Sequence, residues 1–215
     1  MKRSLLTLML AMTALFVSAQ ATVGPKFGLN FSTVTHDNEY AEKVAIPGIH
    51  AGLVLQMGGD LAIQPEILYT QKGVRFEAEG GEEYWQQTNN YLEVPLLLKM
   101  SFGPELFKFF VNAGPYAAYW LSGTAKMDHM GEEVVEDYEF DDDDSDGYSD
   151  NRFDYGIAAG AGLALKLGPG YLTGELRYDL GLADTQKVVD EWDDYEAVMN
   201  RTIGISFGYI VPLGE

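Results

Sequence analysis

The chain contains no cysteine. That excludes disulfide staples, thiolate metal ligands, cysteine nucleophiles and thiol redox chemistry. A chain of 215 residues must then be held by its core or by backbone hydrogen bonds closed upon themselves. Basic residues are scarce, with 14 Lys and Arg against 33 Asp and Glu, a net charge of −19. Such a chain repels nucleic acid and anionic head groups, so no nucleic-acid partner is expected. Histidine is limited to His36, His50 and His129, and no nucleophile elbow, HExxH or paired-carboxylate motif appears. Beyond the first twenty residues no apolar run approaches the roughly 18 residues that a helical span requires.

The N-terminus has the three parts of a secretory signal: Lys2 and Arg3, the apolar run Leu5 to Val17, and the small residues Ser18 and Ala19. Cleavage is expected before Gln20, so residues 1–19 form the signal peptide and 20–215 the mature domain. Removing Lys2 and Arg3 leaves 12 basic residues against 33 acidic ones, net −21.

What the mature chain has is alternation. In Leu61 to Lys72, residues Leu61, Ile63, Pro65, Ile67 and Tyr69 form one set, and Ala62, Gln64, Glu66, Thr70 and Lys72 the other, with Leu68 an apolar intruder. A side-chain period of two is that of a strand, and 12 residues exceed the roughly 9–11 of a tilted membrane strand. Seven further segments repeat the pattern: Val23 to Ser32, Ile49 to Met57, Asn90 to Met100, Lys108 to Leu121, Arg152 to Lys166, Tyr171 to Leu182 and Arg201 to Leu213. The connections after the second, fourth and sixth strands are short and rich in Gly and Pro, whereas the others are long, polar and acidic. Unequal rims of this kind are how outer-membrane barrels are built, with the long loops outside the cell. A soluble eight-stranded barrel would turn its apolar faces inward. Three features favour apolar-out. Gly and Ala crowd one face of the sixth strand. Charges of both signs occupy the same, inward phase of the strands, at Lys26, Glu66, Glu93, Lys99, Glu175, Arg177 and Asp179. Tyr69, Tyr119, Phe153, Tyr155 and Tyr209 lie near segment ends, as girdles do. The expected fold is an all-β, eight-stranded, antiparallel up-and-down transmembrane β-barrel with an acidic outer loop over 123–151.

LAIQPEILYTQKG (61–73), NYLEVPLLLKM (90–100), NAGPYAAY (112–119), FDYGIAAGAGLAL (153–165) and GELRYDLGL (174–182) resemble successive strands of the small outer-membrane proteins called PorT-like or "porin family". The resemblance implies a barrel in a Gram-negative outer membrane, in contact with lipid. It assigns no activity, although the name-giving members serve a dedicated protein secretion pathway. Thr202, Gly204, Phe207 and Tyr209 also resemble the last-strand signal read by the barrel-insertion machinery, an expected partner, but here the chain continues to Glu215.

Glu132 to Asp150 holds eleven acidic residues and no basic one. Within it Asp142, Asp144, Asp146, Gly147 and Asp150 have the spacing of the front half of a calcium loop, while Phe153 stands where the bidentate Glu belongs. Weak calcium binding is therefore a candidate, set against a solvated charge run, and no other cofactor is expected. For catalysis the candidates are His36 and His129 in the outer loops with Ser32 and Ser122 near the rim, the positions a lipid-modifying outer-membrane enzyme would use. An eight-stranded interior is just wide enough to be filled by side chains, so Glu66, Glu93, Lys99, Glu175 and Arg177 are expected to pair across it and plug it. The functional expectation is a non-enzymatic barrel with a structural or interaction role through its outer loops. The alternatives are an accessory of an outer-membrane secretion system, with envelope or secretion proteins as partners, and a lipid-modifying enzyme.

Overall fold

Leu96 is 46% exposed and its neighbour Leu97 only 1%. This alternation runs round the whole wall of the computed structural model, which describes residues 21–36, 41–78, 83–129, 131–140, 148–188 and 196–214. Phe27, Leu53, Ile67, Leu98, Leu176 and Phe207 stand on the outer surface, while Lys26, Glu66, Glu93, Asp154, Glu175 and Arg177 are buried inside. Apolar side chains therefore face outward and the charged ones inward, the arrangement that lipid demands and water penalises.

Among the described residues there are twelve strands: β1 (Ala21–Val34), β2 (Ala41–Val44), β3 (Ile46–Gly58), β4 (Leu61–Ala78), β5 (Tyr84–Phe102), β6 (Phe107–His129), β7 (Glu132–Tyr138), β8 (Tyr148–Asp150), β9 (Phe153–Leu167), β10 (Gly170–Gly181), β11 (Gln186–Val188) and β12 (Asn200–Pro212). Eight of them close a barrel in the order β1–β3–β4–β5–β6–β9–β10–β12, every pairing antiparallel. Closure leaves the barrel itself no open edge. Each of the eight expected strands is present, and the order is up-and-down.

The narrow lumen explains the glycines of β9. A Cβ on Gly162 would lie 2.4 Å from the Phe110 ring, and one on Gly156 would lie 2.7 Å from that of Tyr116. Both glycines face aromatic side chains that fill the interior.

Two differences from the sequence expectation concern the outer rim. First, β4, β5 and β6 run past the ends read from alternation, to Ala78, from Tyr84 and to His129. Second, the stretch 123–151 is not wholly loop. Its first seven residues, 123–129, continue β6, and β7 then folds back on them, pairing Gly123 with Tyr138 through His129 with Glu132. β2 adds to the other side of this sheet on β4, and β8 pairs with β11 separately. The physical reason is solvation. Above the lipid no bilayer enforces an apolar face, so alternation there is short or broken: Val74 and Phe76 still alternate with Arg75 and Glu77, whereas Tyr84 to Asn90 and Glu132 to Tyr138 do not alternate.

Candidate functional site: a filled interior beneath an outer sheet

The interior ions fall into two clusters. In the first, Arg177 donates to both carboxylate oxygens of Glu66 at 2.8 Å and to Glu175 at 2.7 Å. Lys26 reaches Glu175 at 2.9 Å and Glu66 at 3.3 Å. Gln64 donates to Glu66 at 2.6 Å. In the second, Lys72 lies 2.7 Å from Glu93 and 3.0 Å from Asp154, and Asn200 donates to Asp154 at 3.1 Å. Of the five residues expected to pair, Glu66, Glu175 and Arg177 meet in one cluster and Glu93 joins the other. Lys99 instead donates to Gln56 at 3.1 Å and lies 4.0 Å from the Phe110 ring centroid.

Lys26, Lys72 and Asp154 complete the two clusters, and the inner phase of the sequence marks all three, with Asp179, as inward without showing which of them meet. Alternation identifies a face. It does not say which residues meet across the lumen, because that depends on the stagger of the closed sheet.

Above the second cluster sits an aromatic stack. Trp120 stacks on Tyr91 (6.1 Å between centroids) and on Tyr138 (5.1 Å), with Phe140 edge-on at 4.9 Å. Arg152 places its guanidinium 4.0 Å from Phe140 and donates to the Trp120 carbonyl. Tyr91 and Trp120 are each 1% exposed, so this layer closes the outer mouth over the ion pairs.

The membrane band can be located on β6. Phe109 packs edge-on against Phe107 at one end, and Tyr119 against Phe153 at the other. The strand between Phe109 and Tyr119, tilted as barrel strands are, climbs about 25 Å, the height of the apolar band in such barrels. Trp120 to His129 therefore rises above the lipid, carrying the start of β5, β7 and the end of β4 with it. This outer sheet is stitched by polar contacts: Arg75 donates to Gln86 at 2.7 and 2.9 Å, and Arg75 stacks over Tyr84. The Tyr84 hydroxyl donates to Glu133 at 2.6 Å, which raises the pKa of this exposed phenol.

The remaining candidates separate. Asp142, Asp144 and Asp146 lie outside the described residues. Asp150 is buried and accepts from the Tyr138 hydroxyl at 3.1 Å. Among the described residues no group of three or more His, Asp or Glu is arranged to hold a metal ion. Ser32 is fully buried and accepts from the Gly73 amide at 2.8 Å. Ser122 accepts from Asn90 at 3.0 Å. His50 is buried on the inner face of β3 and bonded to Asn30 at 2.7 Å.

A closed eight-stranded barrel with lipid-facing apolar residues, a polar filling and unequal rims is an outer-membrane β-barrel protein. A family model described as outer membrane protein beta-barrel domain matches residues 18–187, and the chain belongs to that family. Its place is the outer membrane. No curated protein matches the sequence. Among solved structures the chain is similar to OprG of Pseudomonas aeruginosa (12% identity, 89% of this chain and 95% of that one, TM-score 0.48). It is also similar to Neisserial surface protein A (12%, 89% and 97%, TM-score 0.45) and to Ail of Yersinia pestis (14%, 89% and 99%, TM-score 0.40).

Proposed function

We propose that this protein is a non-enzymatic, non-conducting barrel, delivered by a cleaved signal peptide over residues 1–19, that contacts partners through the sheet it raises above the outer membrane. One observation carries the reading. β4 to β7 continue past the girdle as an ordered, hydrogen-bonded sheet, while the lumen beneath is filled by two ion clusters and an aromatic stack. A pore needs an open lumen, and the lipid-modifying alternative needs a serine that a substrate can reach. Ser32 is fully buried, which speaks against its use in that way, whereas Ser122 is exposed and accepts from Asn90.

The tests are direct. Purified protein in planar bilayers is expected to give no stable ohmic openings, and deletion of the gene to leave the outer-membrane lipid profile unchanged. Regular, long-lived channels overturn the non-conducting reading, and a changed acylation pattern overturns the non-enzymatic one. Co-purification with secretion components would instead favour the accessory role that the PorT-like strands suggest.

A further inference from the structure

Above the membrane the barrel's solution to the edge problem no longer applies. β6 pairs with β9 only as far as Tyr119 with Phe153, and higher up its neighbour is β7. β7 pairs with β6 on one side, and among the described residues no strand lies on its other side. No backbone hydrogen bond outside the β6–β7 ladder involves residues 132–137. Among the described residues, therefore, nothing pairs with the N–H and C=O groups on that side of β7.

That edge is rigidly presented. At its foot Tyr138 is stacked on Trp120 and bonded to Asp150, and near its tip Glu133 accepts from Tyr84 and approaches Lys126 at 4.0 Å. An ordered strand edge is a template on which an extended chain gains main-chain hydrogen bonds without the cost of ordering the receptor.

The side chains decide what can use it. Glu132, Glu133, Glu136 and Asp137 are all exposed, and the only apolar residues between them are Val134 and Val135. A second copy of the chain would bring the same carboxylates face to face, and like charges directly opposite destabilise a strand pair. An anionic lipid surface is repelled for the same reason. An extended segment rich in Lys or Arg meets opposite charge on both faces of the sheet.

We propose that the free edge of β7 docks an extended, cationic polypeptide segment of a partner, which joins the outer sheet as one more strand. This rests on the partner-contact reading above and names the partner's chemistry. The hydrogen bonds hold the segment and the acids select it. The approach is steered by charge over roughly the 8 Å that physiological salt leaves unscreened.

The experiment uses the refolded full chain in nanodiscs of neutral lipid and a fluorescent peptide alternating Lys and Thr. Its controls are the same peptide N-methylated at alternate amides, which keeps the charge but cannot form the ladder, and a Glu-Thr peptide. The Lys-Thr peptide is expected to bind, with its isotope-labelled amide band moving to a β position. N-methylation should weaken it roughly tenfold or more through the lost hydrogen bonds. Glu132→Lys with Glu136→Lys should weaken it roughly tenfold through charge, with heat-modifiable mobility confirming an intact barrel.

Equal binding of the methylated peptide reduces the effect to charge attraction and overturns the strand-addition proposal. Equal binding to the double variant overturns the assignment to β7, as does absence of binding. None of these outcomes touches the non-conducting, non-enzymatic reading, which stands or falls on conductance and lipid profile.

Discussion

Lys72 and Asp154, 82 residues apart in the chain, meet at 3.0 Å across the barrel interior, and the Lys72 side chain is 1% exposed. The same ammonium lies 2.7 Å from Glu93 and 4.5 Å from the Tyr116 ring centroid. One cation thus bridges two carboxylates drawn from β5 and β9 beneath a stacked aromatic layer.

Removing it strands both acids in a low-dielectric lumen. Breaking a buried pair by deleting one partner costs about 3–5 kcal/mol, so Lys72→Met is expected to lose that much in a urea titration followed by heat-modifiable mobility. The triple change Lys72→Met, Glu93→Leu and Asp154→Leu removes the charges together and is expected to recover most of the loss. A Lys72→Met barrel as stable as the parent would show that the cluster contributes nothing.

Leu96 and Leu97 test the faces of the wall. Leu96→Arg places a cation against lipid near mid-height of β5 and costs about 2–4 kcal/mol, with impaired insertion into bilayers. Leu97→Ala leaves a cavity inside and costs about 2–5 kcal/mol in unfolding, with insertion retained. The two defects separate in an assay that scores insertion yield and urea midpoint independently. Exchange of the two phenotypes would reverse the assignment of inside and outside.

The eight strands and both of their faces were legible because lipid outside and a narrow polar lumen inside force a strict period of two. Leu68, Leu97 and Pro95 break the rule from within, as buried apolar residues on the inner face. They are tolerated because an interior that is filled rather than wet accepts carbon as readily as charge. The partners of Lys72 were not legible, since Asp154 sits on a strand that only barrel closure and stagger bring near. Nor was the outer sheet. Glu132 to Tyr138 has its two valines side by side and so carries no apolar phase, and the run of acids there reads as loop.

Asp142, Asp144 and Asp146 carry the spacing of a calcium loop without the bidentate ligand, since Phe153 takes that place and is 65% exposed on the outer wall. Asp150, the remaining candidate, accepts from Tyr138. We therefore expect the acidic run to respond to calcium and magnesium alike, through screening, in calorimetry on the refolded barrel. A saturable calcium signal that magnesium does not reproduce, lost on Asp144→Asn with Asp146→Asn, would establish a site instead.

Asp179 is the surplus charge of the interior. Among the described residues the buried ions of the barrel are Lys26, Lys72, Lys99 and Arg177 against Glu66, Glu93, Asp154, Glu175 and Asp179. Each of the other four acids lies within 3.3 Å of a cation, whereas Asp179 is in no ion pair and its Oδ1 has no hydrogen-bond partner. It borders a small polar cavity together with Glu93, a like charge, and its neighbour across the β10–β12 ladder, Thr202, also has an unpartnered hydroxyl. Asp179→Asn keeps the shape and deletes the unbalanced charge. Since an unsatisfied buried polar group costs about 1–3 kcal/mol, and a charged one more, this single change is expected to raise stability by at least about 1 kcal/mol in urea. Asp179→Ala, which empties the position, is expected to gain less, because it enlarges the cavity. A loss of stability in Asp179→Asn would mean that the carboxylate is held by the field of Arg177 and Lys26 across the cavity, and the interior would then be balanced by its geometry rather than by its count of charges.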